Sequence, residues 1–264
     1  MLVIIRGAGD IASGIALRLT RARIKIIMTE TEKPTAIRRT VAFSEAVYRG
    51  FAEVEGVRAK LVESPKQALA FAESGKIGVL VDPEGACIPA LKPDAVVDAI
   101  LAKRNLGTKM SDAPVVIGVG PGFTAGEDCH AAVETMRGHY LGRAIYSGSP
   151  LPNTAVPGLI GGYAGERVLR APADGVFTPL LTIGDTVKAG DIVGTVDGVP
   201  MPATIDGTLR GILPHGITVF RGRKSGDIDP RGEKSPCFCS SDKALSIGGG
   251  VLEALLNLSH RLED

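Results

Sequence analysis

The amino-acid sequence predicts an α/β protein with a domain built on a parallel sheet, followed by a small all-β barrel. Two glycine-rich loops, each directly after a continuous apolar run, indicate the parallel sheet, because such runs are typical of strands buried on both faces. The barrel is indicated by a later change of pattern, where short apolar pairs alternate with turns rich in glycine and aspartate.

The first predicted strand runs directly into a glycine turn and a helix. Met1–Arg6 is a continuous apolar run, Gly7–Gly14 follows it, and apolar residues then recur at helical spacing. A second strand, Ile24–Met28, ends just before Glu30, which lies 21 residues after Gly9. A strand, a glycine turn, a helix and an acid about 20 positions further on are typical of dinucleotide binding. The sequence therefore predicts a Rossmann-like nucleotide-binding domain.

This loop and the acid supply the first set of predicted ligand contacts. The glycine backbone would lie against phosphates, the helix N-terminus would face the anion, and the acid would accept a ribose hydroxyl. The candidates are Gly7, Gly9, Asp10, Ile11, Gly14 and Glu30. Two alternatives stay open: the glycines serve only close helix–strand packing, or Glu32 takes the place of Glu30.

A second glycine-rich loop follows a later buried strand. Pro114–Val119 is a run of small apolar residues, Gly118–Gly126 is the loop, and a helix is predicted over 127–136. Because parallel strands end at one edge of a sheet, both glycine loops would offer backbone donors there to an extended anion such as a dinucleotide. The further predicted contacts are Gly120, Gly122 and Phe123.

Charged residues after two other strands are additional candidates. Arg38 and Arg39 follow the second strand and are placed to meet phosphates at the cleft, with a solvated face as the alternative. Asp82 and Glu84 come just after the buried run Ile77–Val81, at the end where ligands gather in doubly wound sheets. Asp-Pro and glycine also form turns, so a purely structural turn is the alternative for these two acids.

Four cysteines in 264 residues do not make a disulfide framework, and they are consistent with a reducing compartment. Cys129 begins the helix predicted over 127–136, where a thiol pKa falls, and it is the one candidate for a catalytic residue, handling sulfur or selenium. No metal site is predicted, because neighbours such as Cys129 and His130 point in different directions on a helix. Cys237 and Cys239 lack the second pair that a zinc site requires.

Charge and hydropathy narrow the class of protein. The formal net charge of +1 argues against nucleic-acid binding, and hydrophobic residues make up 44% of the chain, enough for a sizeable core. No apolar run approaches the ~20 residues of a membrane span. The first apolar run has no basic region before it and ends at Gly7, unlike a signal peptide. We therefore expect a cytoplasmic location.

Residues 169–223 carry the pattern of the predicted barrel. Ala171–Val176 followed by Ile183–Asp191 resembles the half-motif of biotinyl/lipoyl hammerhead domains. Those domains place an acceptor lysine on the hairpin that follows, whereas the matching stretch Val196–Met201 has no lysine. The resemblance implies the barrel fold without covalent biotin or lipoate.

A final helix is predicted over Ala244–Leu258, and Gly248–Gly250 lies inside it. Three glycines lower the stability of a helix, so we expect close backbone packing or a ligand there. The predicted organisation is a nucleotide-binding domain over 1–160, the lysine-free barrel over 161–234, and a C-terminal helix over 235–264 that packs back on the first domain.

Several stretches, in this order, resemble one protein family. They are Gly7–Gly14, Arg38–Ala46, Lys103–Thr108, Gly118–Gly126, Gly226–Arg231 and Ser241–Ala244 with Gly248–Ala254. The family is the selenium-dependent molybdenum hydroxylase accessory proteins of the YqeB type, also described as molybdenum cofactor biosynthesis proteins. The resemblance extends over nearly the whole chain.

The resemblance implies an accessory protein in the maturation of selenium-dependent molybdenum hydroxylases, which binds or delivers a molybdopterin dinucleotide or a related nucleotide. The implied partners are the hydroxylase apo-enzyme or other maturation proteins, and a homodimer is also open. No catalytic residue set comes with the family, so whether the protein is an enzyme stays open. The residues leave two alternatives: an NAD(P)-dependent oxidoreductase that uses Gly7–Gly14, and a non-catalytic docking scaffold.

Overall fold

The computed structural model describes residues 1–154 and 156–259, which form two units. The first, here called the sheet unit, comprises Met1–Pro34, Ala42–Asn153 and the segment from Ser240. The second, the double-sheet unit, comprises Thr35–Val41 and Thr154–Cys239. The last residues of the predicted C-terminal segment, 260–264, lie outside the described residues.

The sheet unit is built on a nine-stranded sheet in the order β3-β4-β5-β2-β1-β6-β7-β8-β9. The strands are β1 (Leu2–Arg6), β2 (Lys25–Glu30), β3 (Phe51–Val54), β4 (Val57–Val62), β5 (Ile77–Val81), β6 (Ala95–Asp98), β7 (Val115–Val119), β8 (Ala131–Val133) and β9 (Ala144–Ile145). The helices are α1 (Asp10–Arg21), α2 (Glu45–Arg49), α3 (Pro65–Glu73), α4 (Cys87–Leu91) and α5 (Asp242–Leu258). The strands from β4 to β8 in the sheet order are parallel, and β3 and β9 pair antiparallel at the two edges.

The predicted Rossmann-like parallel domain is wrong, because the sheet is mixed and one half lacks crossover helices. The helix predicted over 127–136 is not formed, and the stretch contains β8 instead. Asp128 closes a turn before it by accepting a hydrogen bond from the amide of Thr124 (2.9 Å). The fully buried Ala131–Val133 then pairs with β7, and α5, from a distant part of the sequence, packs on β7, β8 and β9.

Helices α1 and α5 cross at close range because glycines lie at the contact. A Cβ atom at Gly14 would lie 2.5 Å from Cβ of Ala244, and one at Gly248 would lie 2.9 Å from the carbonyl oxygen of Gly14. A Cβ atom at Gly250 would collide with the carbonyl oxygen of Gly142. Close backbone packing, one of the two expectations for the glycine triplet, is confirmed.

The double-sheet unit consists of two antiparallel four-stranded sheets, in the orders β10-β17-β15-β12 and β14-β13-β11-β16. Its strands are β10 (Val168–Arg170), β11 (Gly175–Pro179), β12 (Thr186–Val187), β13 (Ile192–Val196), β14 (Val199–Pro202), β15 (Gly207–Ile212), β16 (Ile217–Val219) and β17 (Lys224–Asp229). The predicted biotinyl/lipoyl-like barrel is therefore wrong, since two separate sheets enclose the core. A distant segment also takes part: Ile37 packs on this core and its carbonyl accepts a hydrogen bond from the amide of Ile212 (2.8 Å).

Candidate functional site

The carboxyl ends of the central strands meet at one edge of the nine-stranded sheet. β1 lies between β2 and β6. Strands β2 to β5 all lie on one side of β1, and the strand order then reverses, because β6 and the strands after it lie on the other side. In open α/β sheets, such a reversal of strand order opens a crevice outside the carboxyl ends, where ligands bind.

A pocket of about 120 Å³ lies in this crevice, and we call it the switch-point pocket. It is lined by Arg6, Gly7, Thr29, Glu30, Thr31, Pro83, Glu84, Ile100 and Leu106, all in the sheet unit. Pockets for drug-sized ligands usually measure 300 Å³ or more, so the volume suits a small metabolite (roughly ten non-hydrogen atoms or fewer).

Arg6 ends β1 and is one of the residues that line the pocket, and its side chain is buried, with only 3% of the residue exposed. Its Nη1 donates to Oγ1 of Thr108 (2.5 Å), and its Nη2 donates to the carbonyl of Pro83 (3.1 Å). Among the described residues, its buried Nε–H has no hydrogen-bond partner. An unpaired buried donor costs free energy that an acceptor on a ligand would recover.

Asp98 compensates the charge of Arg6. It ends β6, is 2% exposed, and places Oδ2 3.6 Å from Nη1 of Arg6. Oδ2 also accepts from the hydroxyl of Thr108 (2.6 Å), and Oδ1 accepts from the amide of Ile100 (3.1 Å). Asn105 holds the loop in place by accepting from the amide of Thr108 (2.8 Å). The guanidinium is therefore fixed before any ligand arrives.

The glycine turn and the end of β2 form another wall of the pocket. Glu30 Oε2 accepts from the amide of Ala8 (3.0 Å), and Oε1 accepts from the amide of Thr31 (2.8 Å). Gly7 has a φ of 92°, which favours glycine, and a Cβ atom there would lie 2.8 Å from the carbonyl oxygen of Ala99. Glu30 and Gly7 are the two predicted contacts of the first loop that line the switch-point pocket.

The other predicted contacts of that loop belong to α1. Gly9 immediately precedes the helix, Asp10 is its first residue, and Ile11 is buried at 7% exposure. Gly14 faces Ala244 of α5, so its lack of a side chain serves helix packing. Whether Gly9, Asp10 and Ile11 contact a ligand stays a prediction.

The second glycine loop is closed by contacts within the protein. A Cβ atom at Gly120 would lie 2.9 Å from Oγ1 of Thr135, and one at Gly122 would lie 2.5 Å from Cα of Arg104. Phe123 is 4% exposed and belongs to a hydrophobic core of the sheet unit. The structure does not place these three predicted contacts on the lining of the switch-point pocket.

Arg38 and Arg39 belong to the double-sheet unit, whereas the glycine turn belongs to the sheet unit. Arg38 is 6% exposed, and its Nη2 donates to the carbonyls of Pro236 (2.9 Å) and Cys239 (3.2 Å). Arg39 begins a short 3-10 turn, Arg39–Val41. These contacts tie a distant segment of the sequence to the double-sheet unit.

The acids after β5 have different roles. Burial alone would raise the pKa of Asp82, but hydrogen bonds from Cys87 and Ala86 hold that pKa below its usual value. Their amides donate to its carboxylate at 2.8 Å and 2.9 Å, so Asp82 fixes the start of α4. Glu84 is exposed and lines the switch-point pocket.

Cys129 lies in a hydrophobic core, fully buried, and burial raises the pKa of its thiol to about 11. The thiol therefore stays protonated at neutral pH, and the lowered pKa expected at a helix start is absent because no helix forms there. Cys87 is also buried, with a pKa raised to about 12 by burial and by Asp82.

We predict that only Cys239 reacts with iodoacetamide at pH 8 in the folded protein. Cys87, Cys129 and Cys237 are buried and Cys239 is exposed. Burial raises the pKa of all three buried thiols, and alkylation requires the thiolate. Peptide mass spectrometry should find the adduct at Cys239 in buffer and at all four cysteines in guanidinium chloride. Labelling of native Cys129 at a rate equal to that of Cys239 would contradict its placement in the core.

Three residues of this site escaped the sequence-based prediction: Arg6, Asp98 and Thr108. Arg6 and Asp98 are each a charged residue at the end of a buried apolar strand. This pattern in the sequence could have identified them as site residues. A charge at the carboxyl end of a doubly buried strand lies where ligands bind in such sheets. The contact of Arg6 with Thr108 spans 102 positions and leaves no local pattern in the sequence.

The described residues contain no group of three or more histidine, cysteine, aspartate or glutamate side chains arranged to hold a metal ion. In residues 1–154 and 156–259, no helix is both long and apolar enough to cross a membrane.

Solved structures with partial likeness to the chain carry names of deacylating enzymes. An aspartoacylase family protein from Mesorhizobium loti aligns at 14% identity and a TM-score of 0.28, over 86% of this chain and 84% of that one. A succinylglutamate desuccinylase/aspartoacylase from Rhodobacter sphaeroides aligns at 16% identity and a TM-score of 0.27, with the same coverage of both chains. Likeness at this level carries no argument about the activity of this chain.

The function expected from the sequence is corrected by these comparisons. The similar structures are aspartoacylase and desuccinylase proteins, and none is named for molybdenum cofactor maturation, nicotinamide chemistry or docking. The predicted accessory role in molybdenum hydroxylase maturation and its oxidoreductase alternative therefore find no support in these comparisons and are withdrawn. The predicted cofactor and protein partners stay untested predictions.

Sequence comparison finds a close relative but no described activity. No family model matches the chain. The uncharacterized protein YqeB of Escherichia coli (strain K12) is 55% identical over 260 residues, which is 98% of this chain and 48% of that protein. The chain thus spans about half the length of this relative. The identity supports a YqeB-type relationship for the chain, and the relative's name assigns it no molybdenum hydroxylase role.

Proposed function

We propose that the sheet unit binds a small aminocarboxylate in the switch-point pocket. In this proposal, the ligand's carboxylate accepts from Arg6 and its ammonium group lies at the carboxylates of Glu30 and Glu84. The observation that carries the proposal is the buried Nε–H of Arg6, which lacks a partner among the described residues although the residue lines a pocket.

The charges around the pocket favour a zwitterion over a simple anion. Arg6 is the cation of the lining and is already balanced by Asp98 at 3.6 Å. Glu30 and Glu84 add two carboxylates to the lining, so a purely anionic ligand would meet net repulsion. A ligand that carries both an acceptor for Arg6 and a cation for the acids satisfies both requirements.

The remaining walls are apolar and limit the size of the ligand. Pro83, Ile100 and Leu106 line the pocket beside the charged groups. An aliphatic side chain on the aminocarboxylate would bury its surface there, at about 25 cal/mol for each Å² removed from water. The volume of about 120 Å³ favours compact ligands such as alanine or valine over aromatic ones.

Calorimetric titration with matched ligands tests the proposal. We expect at least one of glycine, L-alanine, L-valine and L-leucine to bind with a Kd of about 1 mM or lower. For L-valine, isovalerate lacks the amine and isobutylamine lacks the carboxylate, and each should bind at least about tenfold more weakly. Equal affinity for valine and either analogue, or no heat with any aminocarboxylate, would overturn the proposal.

We predict that Glu84→Gln weakens binding of the aminocarboxylate about fivefold, because the substitution removes one of the two charges that meet the ammonium group. The side chain is exposed, so folding should be unaffected. Glu73→Gln removes another exposed charge, at the end of α3, and serves as the control with unchanged affinity. Equal Kd values for the two variants would show that Glu84 does not contact the ligand.

A further inference from the structure

A second depression lies at the far edge of the nine-stranded sheet, away from the central strands. It is an open groove of about 550 Å³ between the hairpin β3–β4 and helix α3. We call it the hairpin groove, and its lining includes Phe51, Glu53, Arg58, Lys60, Phe71 and Lys76. The volume falls within the range of about 300–1,000 Å³ that is typical of small-molecule and cofactor pockets.

The groove exposes aromatic surface that a folded protein usually covers. Phe51 is 63% exposed, and Phe71 on α3 is half-buried. The register pairs Phe51 with Lys60 and Glu53 with Arg58, so these four side chains share one face of the hairpin. The exposed phenyl ring of Phe51 on this face marks a candidate interaction surface.

The charges of the groove are predominantly positive. Arg58 is paired with Glu53 at 2.6 Å between Nε and Oε2, which leaves Lys60 and Lys76 as the surplus charges of the lining. The ammonium of Lys60 lies 5.7 Å from the centroid of the Phe71 ring, where a cation and an aromatic face attract each other. Any occupant must therefore offer acidic groups next to apolar ones.

The backbone beside the groove can also pair with an extended chain. β3 lies at one edge of the nine-stranded sheet, and among the described strands it pairs with β4 alone. The free side of an edge strand presents unpaired amides and carbonyls, and many recognition domains bind a peptide there as an added strand.

We propose that the hairpin groove docks an extended peptide segment of a partner protein. Every second residue of this segment faces the groove, and these facing residues are in turn acidic (aspartate or glutamate) and large apolar. The apolar side chains pack on Phe51 and Phe71, and the acidic side chains meet Lys60 and Lys76. The peptide backbone adds a strand beside β3. This proposal uses no residue of the switch-point pocket and is independent of the function proposed there.

Fluorescence anisotropy with synthetic peptides tests the proposal on the full chain. The probe is a fluorescein-labelled seven-residue peptide with Phe, Asp, Leu and Asp at positions 1, 3, 5 and 7 and Ser at the positions between them, and its control carries Lys in place of each Asp. We expect the acidic peptide to bind at least tenfold more tightly, and its affinity to fall as NaCl rises. Equal binding of the two peptides would overturn the proposal.

Matched variants assign the binding to the groove. The double variant Lys60→Glu/Lys76→Glu should bind the acidic peptide at least tenfold more weakly. The control Lys66→Glu changes an exposed residue of α3 outside the groove and should not alter the affinity. Phe51→Ser should lower the affinity for the acidic peptide about fivefold. Phe220 is also 63% exposed but lies in the double-sheet unit, so Phe220→Ser should leave the affinity unchanged. Unchanged binding in both groove variants would overturn the proposal, and so would a concentration-dependent dimer in sedimentation that Phe51→Ser abolishes.

Discussion

Replacing Arg6 with methionine should lower the free energy of unfolding by about 3–5 kcal/mol, the largest single effect that we expect in the sheet unit. The substitution removes the cation 3.6 Å from Asp98, which is 2% exposed and would keep a buried charge without its partner. It also leaves the carbonyl of Pro83 without its donor from Nη2. Urea unfolding followed by circular dichroism measures the change.

A double-mutant cycle separates the charge pair from the loss of packing. Asp98→Asn in the Arg6→Met background should restore part of the lost stability, with a coupling of at least about 1 kcal/mol, because no buried charge then remains unpaired. The control is Arg58→Met, which breaks an exposed pair with Glu53 at 2.6 Å and should leave the unfolding midpoint nearly unchanged. Additive effects of the two buried substitutions would show that Arg6 and Asp98 do not compensate each other.

Substituting alanine for Gly250 should destabilise the chain by about 2–3 kcal/mol. Its added Cβ atom would collide with the carbonyl oxygen of Gly142 and lies beside a side-chain carbon of Val133 at 3.1 Å. The backbone of Gly142 cannot rotate away as a flexible side chain can, so α5 must move away from it. The loss of stability should be that typical of overpacked cores. Thermal unfolding and urea unfolding both report this loss.

The neighbouring glycine gives the matched control on the same helix. A Cβ atom at Gly249 would meet nothing within 4 Å, and the residue is only half-buried. Gly249→Ala should therefore stabilise the chain by about 0.5–1 kcal/mol, because alanine favours the helix and restricts the unfolded chain. Equal effects of the two substitutions would contradict the close approach of α5 to Gly142.

Elements with local signals could be predicted from the sequence. The C-terminal helix predicted over Ala244–Leu258 is formed as α5 (Asp242–Leu258), and Ser241 caps it by accepting a hydrogen bond from the amide of Ala244. Continuous apolar runs likewise predicted β1 and β5.

The errors concern partners that are distant in sequence. Ala131 and Ala132 favour a helix by intrinsic propensity, and the pairing of Ala131–Val133 with β7 and β9 makes it a strand. Gly14 fits a phosphate loop by pattern, yet its neighbour is Ala244, and the double-sheet unit recruits Ile37 from before the sheet unit's third strand. In the candidate site, Gly7, Glu30 and Glu84 could be predicted as residues after buried strands. The pairing of Arg6 with Asp98 and Thr108 could not, because no local pattern encodes it.

The most direct test of the aminocarboxylate site is a ¹H–¹⁵N correlation spectrum of the arginine Nε–H groups during titration with L-valine. The Arg6 resonance, assigned with Arg6→Lys, should shift saturably with the ligand because its Nε–H gains an acceptor. The resonance of Arg58, exposed at the other edge of the sheet, should stay in place. An Arg6 resonance that does not move at saturating concentrations of any bound aminocarboxylate would contradict the account.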